Sequence, residues 1–295
     1  MWYFYALIAL LCWSGSDLFS KIGSRPDDRQ SHWKMVLAVG LVMGLHALYE
    51  LTVNKVPFGI ADLIAYLPAS LLYIVSMVLG YVGLRYIELS VSSPICNSSG
   101  ALAALLCFIF LKQTLTPLQA AGVIMVCIGV TALGFVQSFE SEELKELRQK
   151  SSNIKYAKSF IALLFPLLYL LLDALGTFAD AYILQTLEET TANVAYELTF
   201  ALMAAAALVV LIIKKEKIIV KADAPKGIAA LFETGGQFAY VFAIGANAVV
   251  AAPIISAYCV LSIVWSRIFL KEKLSVKHYL AIAVAVAGII ILGFE

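Results

Sequence analysis

What most limits this chain is a succession of ten long apolar stretches, at 2–22, 33–53, 64–86, 91–111, 116–137, 158–182, 191–213, 225–246, 249–269 and 276–293. A helix needs roughly 20 apolar residues to cross the hydrocarbon core of a bilayer. In lipid, only helices and closed barrels satisfy all of their own backbone groups. The alternation of about ten residues that barrel strands need is absent, and the runs are rich in Leu, Ala and Val. The sequence therefore predicts an all-α integral membrane protein with ten transmembrane helices. Its charged fraction is 14%, against about 25% in soluble domains.

Several function classes fall away at this point. A formal net charge of +1 supplies no polyanion-binding surface, so the expected partners are the lipid bilayer and a small molecule, not nucleic acid. Cys12, Cys96, Cys107, Cys127 and Cys259 all lie inside apolar runs, without CxxC or zinc-ligand spacing. They read as small buried hydrophobes, and neither a metal nor a cofactor is expected. The opening "MWYFYALIAL" has no basic leader and reads as a first span, not a removable signal.

The longest hydrophilic stretch, 138–157, is charged and of mixed sign, and divides the spans five and five. A shift of 159 residues carries "FLKQTL" (110–115) onto "FLKEKL" (269–274) and "LGF" (133–135) onto "LGF" (292–294). The same register pairs Tyr81 with Tyr240, Pro94 with Pro253, Ile95 with Ile254, and Gly129 with Gly288. The expected organisation is two duplicated five-helix units, 1–137 and 158–295, joined by the linker 138–157. Because five is odd, the units enter the membrane from opposite sides. Such inverted repeats are characteristic of secondary transporters, where two related halves rock about a midplane site. A duplicated scaffold or receptor without transport is the bland alternative.

Trp13 and Lys21 form a W-x₇-K pattern in the first helix, and "FLKEKLS" precedes a last helix containing Gly288. With the repeat, these residues resemble EamA-type members of the drug/metabolite transporter superfamily over essentially the whole chain. The resemblance implies a proton- or gradient-driven carrier of small metabolites such as amino acids, amines or nucleotide sugars. It also implies a central cavity lined by the fourth and ninth helices, and commonly both termini in the cytoplasm. The charges here point the other way. All but two of the 21 Lys and Arg fall at the odd-numbered gaps between spans, the exceptions being Lys55 and Lys112. By the positive-inside rule that puts both termini outside a plasma membrane.

Ionisable residues within spans are costly and mark pathways or partners. Asp17, Asp173, Asp180, Glu197 and Glu233 are such residues, whereas Lys21, Arg85 and Arg267 sit at span ends. Residues three, four and seven apart share a helix face. Trp13 and Asp17, with Ser16 and Ser20, form one stripe; Tyr169, Asp173, Thr177 and Asp180 a second; Glu233, Gln237 and Tyr240 a third. Carboxylates beside aromatic rings suit an organic cation, since a ring face attracts a cation by about 0.5–2 kcal/mol. Asn97 and Ser98 follow Pro94, and Tyr258 follows Pro253, in Pro-interrupted segments at matching positions of the two halves. The bland readings are an Asp17–Lys21 ion pair, solvated span ends for Asp180 and Glu197, an interfacial or pairing role for Glu233, and plain helix packing for the serines.

The expected substrate-binding set is Trp13, Asp17, Asn97, Ser98, Tyr169, Asp173, Glu233, Gln237, Tyr240 and Tyr258, with Asp173 and Glu233 as proton-coupling groups. The expected activity is secondary transport of a small cationic or zwitterionic metabolite; a neutral or anionic cargo is the alternative. No HExxH, GxSxG, P-loop or GxGxxG occurs. An intramembrane aspartyl protease is disfavoured because "SGSD" lacks the second Gly of GxGD and no Tyr directly precedes Asp173.

Overall fold

The structure, a computed structural model, describes residues 1–25, 28–138, 164–272 and 274–294. Apart from Ser138, the charged linker expected at 138–157 lies outside them. Among the described residues the chain is helical throughout and forms no strand. In order come α1 (Trp2–Gly23), α2 (Ser31–Thr52), α3 (Ile60–Gly83), α4 (Leu89–Asn97), α5 (Ser99–Phe110) and α6 (Pro117–Ser138). Then follow α7 (Leu164–Ile183), α8 (Glu189–Ile213), α9 (Val220–Ser256), α10 (Tyr258–Trp265), a π-turn (Ser266–Leu270) and α11 (Val276–Leu292). Seven segments are long and apolar enough to cross a membrane, and the shorter Pro117–Leu133 and Val276–Leu292 are also apolar.

One of the seven, Val220–Leu270, is 51 residues long. Drawn straight it would measure ~76 Å at about 1.5 Å per residue, over twice the core thickness of ~30 Å. It is not straight: the backbone is extended at Asn247 (φ −164°, ψ 94°), which divides α9 into two arms.

The stretches 91–111 and 249–269, expected as single helices, are each interrupted, at Ser98 and at Ala257. Four residues upstream stand Pro94 and Pro253, whose rings remove a ladder donor and crowd the carbonyl one turn back. At each break the turn tightens. Ser98 N–H donates to both Pro94 O (3.1 Å) and Ile95 O (3.3 Å), and Ala257 N–H to both Pro253 O (3.1 Å) and Ile254 O (3.1 Å).

Helices from the two halves of the chain pack on one another. α1 lies along α9, α2 on α8, α3 on α7, α6 on α11, and α4 against α10. Lipid tails are as apolar as leucine, so helix contacts in a membrane depend on close approach of small residues. A Cβ added to Gly129 would fall 2.6 Å from Ala285 N, and one on Gly288 would fall 2.8 Å from Gly122 O. Glycine is therefore required where α6 and α11 cross. Leu41, Leu45 and Leu48 of α2 instead point outward, each more than half exposed, as a lipid-facing stripe.

Candidate functional site

The helices enclose a polar cavity deep in the bundle. Its wall includes nine of the ten expected residues: Trp13, Asp17, Asn97, Tyr169, Asp173, Glu233, Gln237, Tyr240 and Tyr258. Ser98 is the exception. It sits at the α4–α5 break and turns its hydroxyl back to Pro94 O (2.9 Å), the usual way a helical serine satisfies itself.

Three carboxylates from three helices face this space. Asp17 of α1 accepts hydrogen bonds from Ser93 Oγ (2.5 Å) and Ser262 Oγ (2.8 Å). Asp173 of α7 accepts from Ser99 Oγ (2.6 Å), and Glu233 of α9 from Ser16 Oγ (2.6 Å). None of the described wall residues is Lys, Arg or His. The charges that bear on Glu233 are those of the other two acids. Asp17 therefore belongs to the cavity and takes serine partners from α4 and α10. Lys21 points elsewhere, to the backbone carbonyls of Leu84 and Ile87.

Aromatic rings complete the wall. The Trp13 ring lies 5.0 Å from Tyr240 and 5.9 Å, edge on, from Tyr258. Gly236 makes room for the indole: a Cβ there would come within 2.3 Å of the ring. Tyr73 bonds to Tyr240 and Thr177, and Tyr196 donates to Met77 Sδ (3.2 Å). Two buried donors on the wall, Trp13 Nε1 and Gln237 Nε2, have no hydrogen-bond partner among the described residues. A buried amide or indole N–H without a partner costs about 1–3 kcal/mol, so each is poised for an acceptor on a ligand.

Residues outside the expected set also belong here: Tyr73, Tyr81, Tyr196 and the serines that hold the acids. Tyr81 had a signal, since it occupies the repeat position of Tyr240. Serines and tyrosines scattered through apolar helices carry none by themselves. The other two membrane acids are not solvated span ends. Asp180 is wholly buried and accepts from Tyr66 OH (2.7 Å). Glu197, equally buried, is bound by His46 Nδ1 at 2.8 and 2.9 Å and by Asn193 Nδ2 at 3.2 Å. Both meet partners on neighbouring helices, a contact that sequence spacing alone does not register.

An acid-lined chamber inside a multi-pass helical bundle defines the class: a membrane protein with an internal cavity. The chain belongs to the EamA-like transporter family, which matches it over residues 1–135 and again over 159–294. It is thus a membrane transporter of the drug/metabolite type. A solved crystal structure of another protein aligns with 99% of this chain and 96% of its own, with TM-score 0.64 and 15% identity, a likeness of fold alone. No curated protein matches the sequence.

Proposed function

We propose that the chain is a secondary carrier of a small metabolite with a positively charged group, cationic or zwitterionic, coupled to protons or another gradient. The observation that carries this reading is the set of three carboxylates around one chamber that, among the described residues, are held by neutral hydroxyls. A buried charge is costly unless it is paired, and a proton or a cationic solute can supply that pairing. Trp13, Tyr240 and Tyr258 offer ring faces to the cation. The unpartnered N–H groups of Trp13 and Gln237 favour a solute that also bears an acceptor, such as a carboxylate. Asp173 and Glu233 are the coupling groups in this scheme.

The architecture in this reading is ten crossings in two inverted five-helix units, 1–137 and 158–295. α4 with α5 counts as one crossing, and the Asn247 break divides Val220–Leu270 into two. The Lys/Arg distribution favours a plasma membrane with both termini outside. Flux in proteoliposomes tests the scheme, using labelled choline, amines and amino acids with and without a pH gradient. Flux that disappears in Asp173→Asn supports it, and flux indifferent to that change removes Asp173 from the site. Transport of neutral or anionic nucleosides alone would overturn the cationic reading. Saturable binding without flux would make the protein a receptor.

A further inference from the structure

Two related caps of unequal chemistry stand at matching positions of the two halves. At one end Glu272 Oε2 accepts the Ser90 N–H (3.2 Å) at the start of α4. At the other, Gln113 Oε1 accepts the Val249 N–H (3.1 Å) at the start of the second arm of α9. Both pairs stand in the register of the sequence repeat: Ser90 falls on Val249 and Gln113 on Glu272. The residue before each capping side chain, Lys112 or Lys271, has positive φ (52° and 59°). A non-glycine residue seldom adopts that conformation, so the two turns present their caps by the same backbone path. Each turn of one half thus holds down a helix of the other half.

The chemistry of the two caps differs. Glu272 is wholly buried, and so is Lys21, which lies in the field of Glu272 and Glu88. Lys21 donates to the carbonyls of Leu84 and Ile87, on the very turn whose next helix Glu272 caps. Beneath them Leu18, Leu84, Leu89 and Leu270 pack into an apolar plug, and Leu84 and Leu89 border the cavity. The opposite end has a neutral, partly exposed Gln113, and Ala243 and Ala248 occupy the repeat positions of Leu84 and Leu89.

We propose that Glu272 and Lys21 form a charged lock on the 84–90 turn, so that the resting carrier keeps this end shut and admits solute past the neutral Gln113 end. Glu272 acts through the turn and does not touch the solute; it is a positioning residue. The proposal rests on the carrier reading. Its test uses neither substrate nor flux, so failure of the lock and failure of the carrier reading are told apart.

Hydrogen exchange of the full-length protein in nanodiscs reads both turns at once, through peptides spanning 84–92 and 243–251. Glu272→Gln keeps an acceptor for Ser90 N–H and removes only the charge, making this end like the other. Exchange in 84–92 is expected to rise at least tenfold, with 243–251 unchanged. A Glu272→Gln variant that exchanges like the wild type, while Glu272→Ala exchanges faster, would reduce Glu272 to a helix cap and overturn the lock. The double variant Lys21→Gln/Glu272→Gln removes both charges of the lock together and guards against misfolding. It must loosen 84–92 as far as the single variant, and protection equal to wild type would again overturn the proposal.

Discussion

Glu197 and Asp173 are both acids in the middle of apolar helices, yet the protein treats them oppositely. Glu197 is sealed between α2 and α8 with a hydrogen-bonding partner of its own. His46 places Nδ1 2.8 Å from Glu197 and Nε2 3.6 Å from Glu50, so that one ring stands between two carboxylates. Asp173 receives the Ser99 hydroxyl and stays open to the cavity. Where the acid is sealed in, its partner is built into the neighbouring helix. Where the fold leaves the partner out, under the proposed function a counter-ion arrives and departs with the cargo.

Substitutions can break this comparison. The largest effect is expected from His46→Ala, which strands Glu197 and should cost about 3–5 kcal/mol of stability. It would be seen as a fall in melting temperature in detergent, with flux per folded molecule retained. His46→Ala/Glu197→Gln should recover most of that loss. Asp173→Asn should do the reverse, leaving melting unchanged while solute affinity falls about 100-fold, the ~3 kcal/mol of a charge-assisted contact. Were both variants to lose stability alike, the division between structural and working acids would be wrong.

Finer changes sharpen the picture. Gly236→Ala pushes the Trp13 indole off its seat, and a cost of about 1–2 kcal/mol for overpacking should appear as a roughly tenfold weaker solute affinity in binding titrations. Ser99→Ala removes one hydroxyl from Asp173. It should weaken binding only about fivefold, near the ~1 kcal/mol of a single hydrogen bond, and shift the coupling ratio of protons to solute before it abolishes flux.

Much of this was readable along the chain. The helical stripe of Glu233, Gln237 and Tyr240 needs only the 3.6-residue period to put three side chains on one wall. Pro94 and Pro253, in one repeat register, flagged the two interrupted helices. Other partners were hidden because they arise between helices distant in sequence. Nothing beside Ser93 or Ser262 foretells that their hydroxyls converge on Asp17, and His46 lies 151 residues from Glu197. Local tightening at Ser98 also turned one expected cavity residue back on its own helix. Periodicity reports which face a side chain takes; it is silent on what stands opposite.

The seating of Trp13 gives the molecule an optical property. Of the four tryptophans, Trp13 lines the cavity within reach of its acids, and Trp265 donates to Ser14 (3.2 Å) beside the leucine plug. Trp2 and Trp33 lie near helix starts. With those two replaced by Phe, the remaining emission comes from one indole in the chamber and one beside the leucine plug. Occupancy and opening can then be followed in unlabelled protein by the colour and lifetime of its own fluorescence.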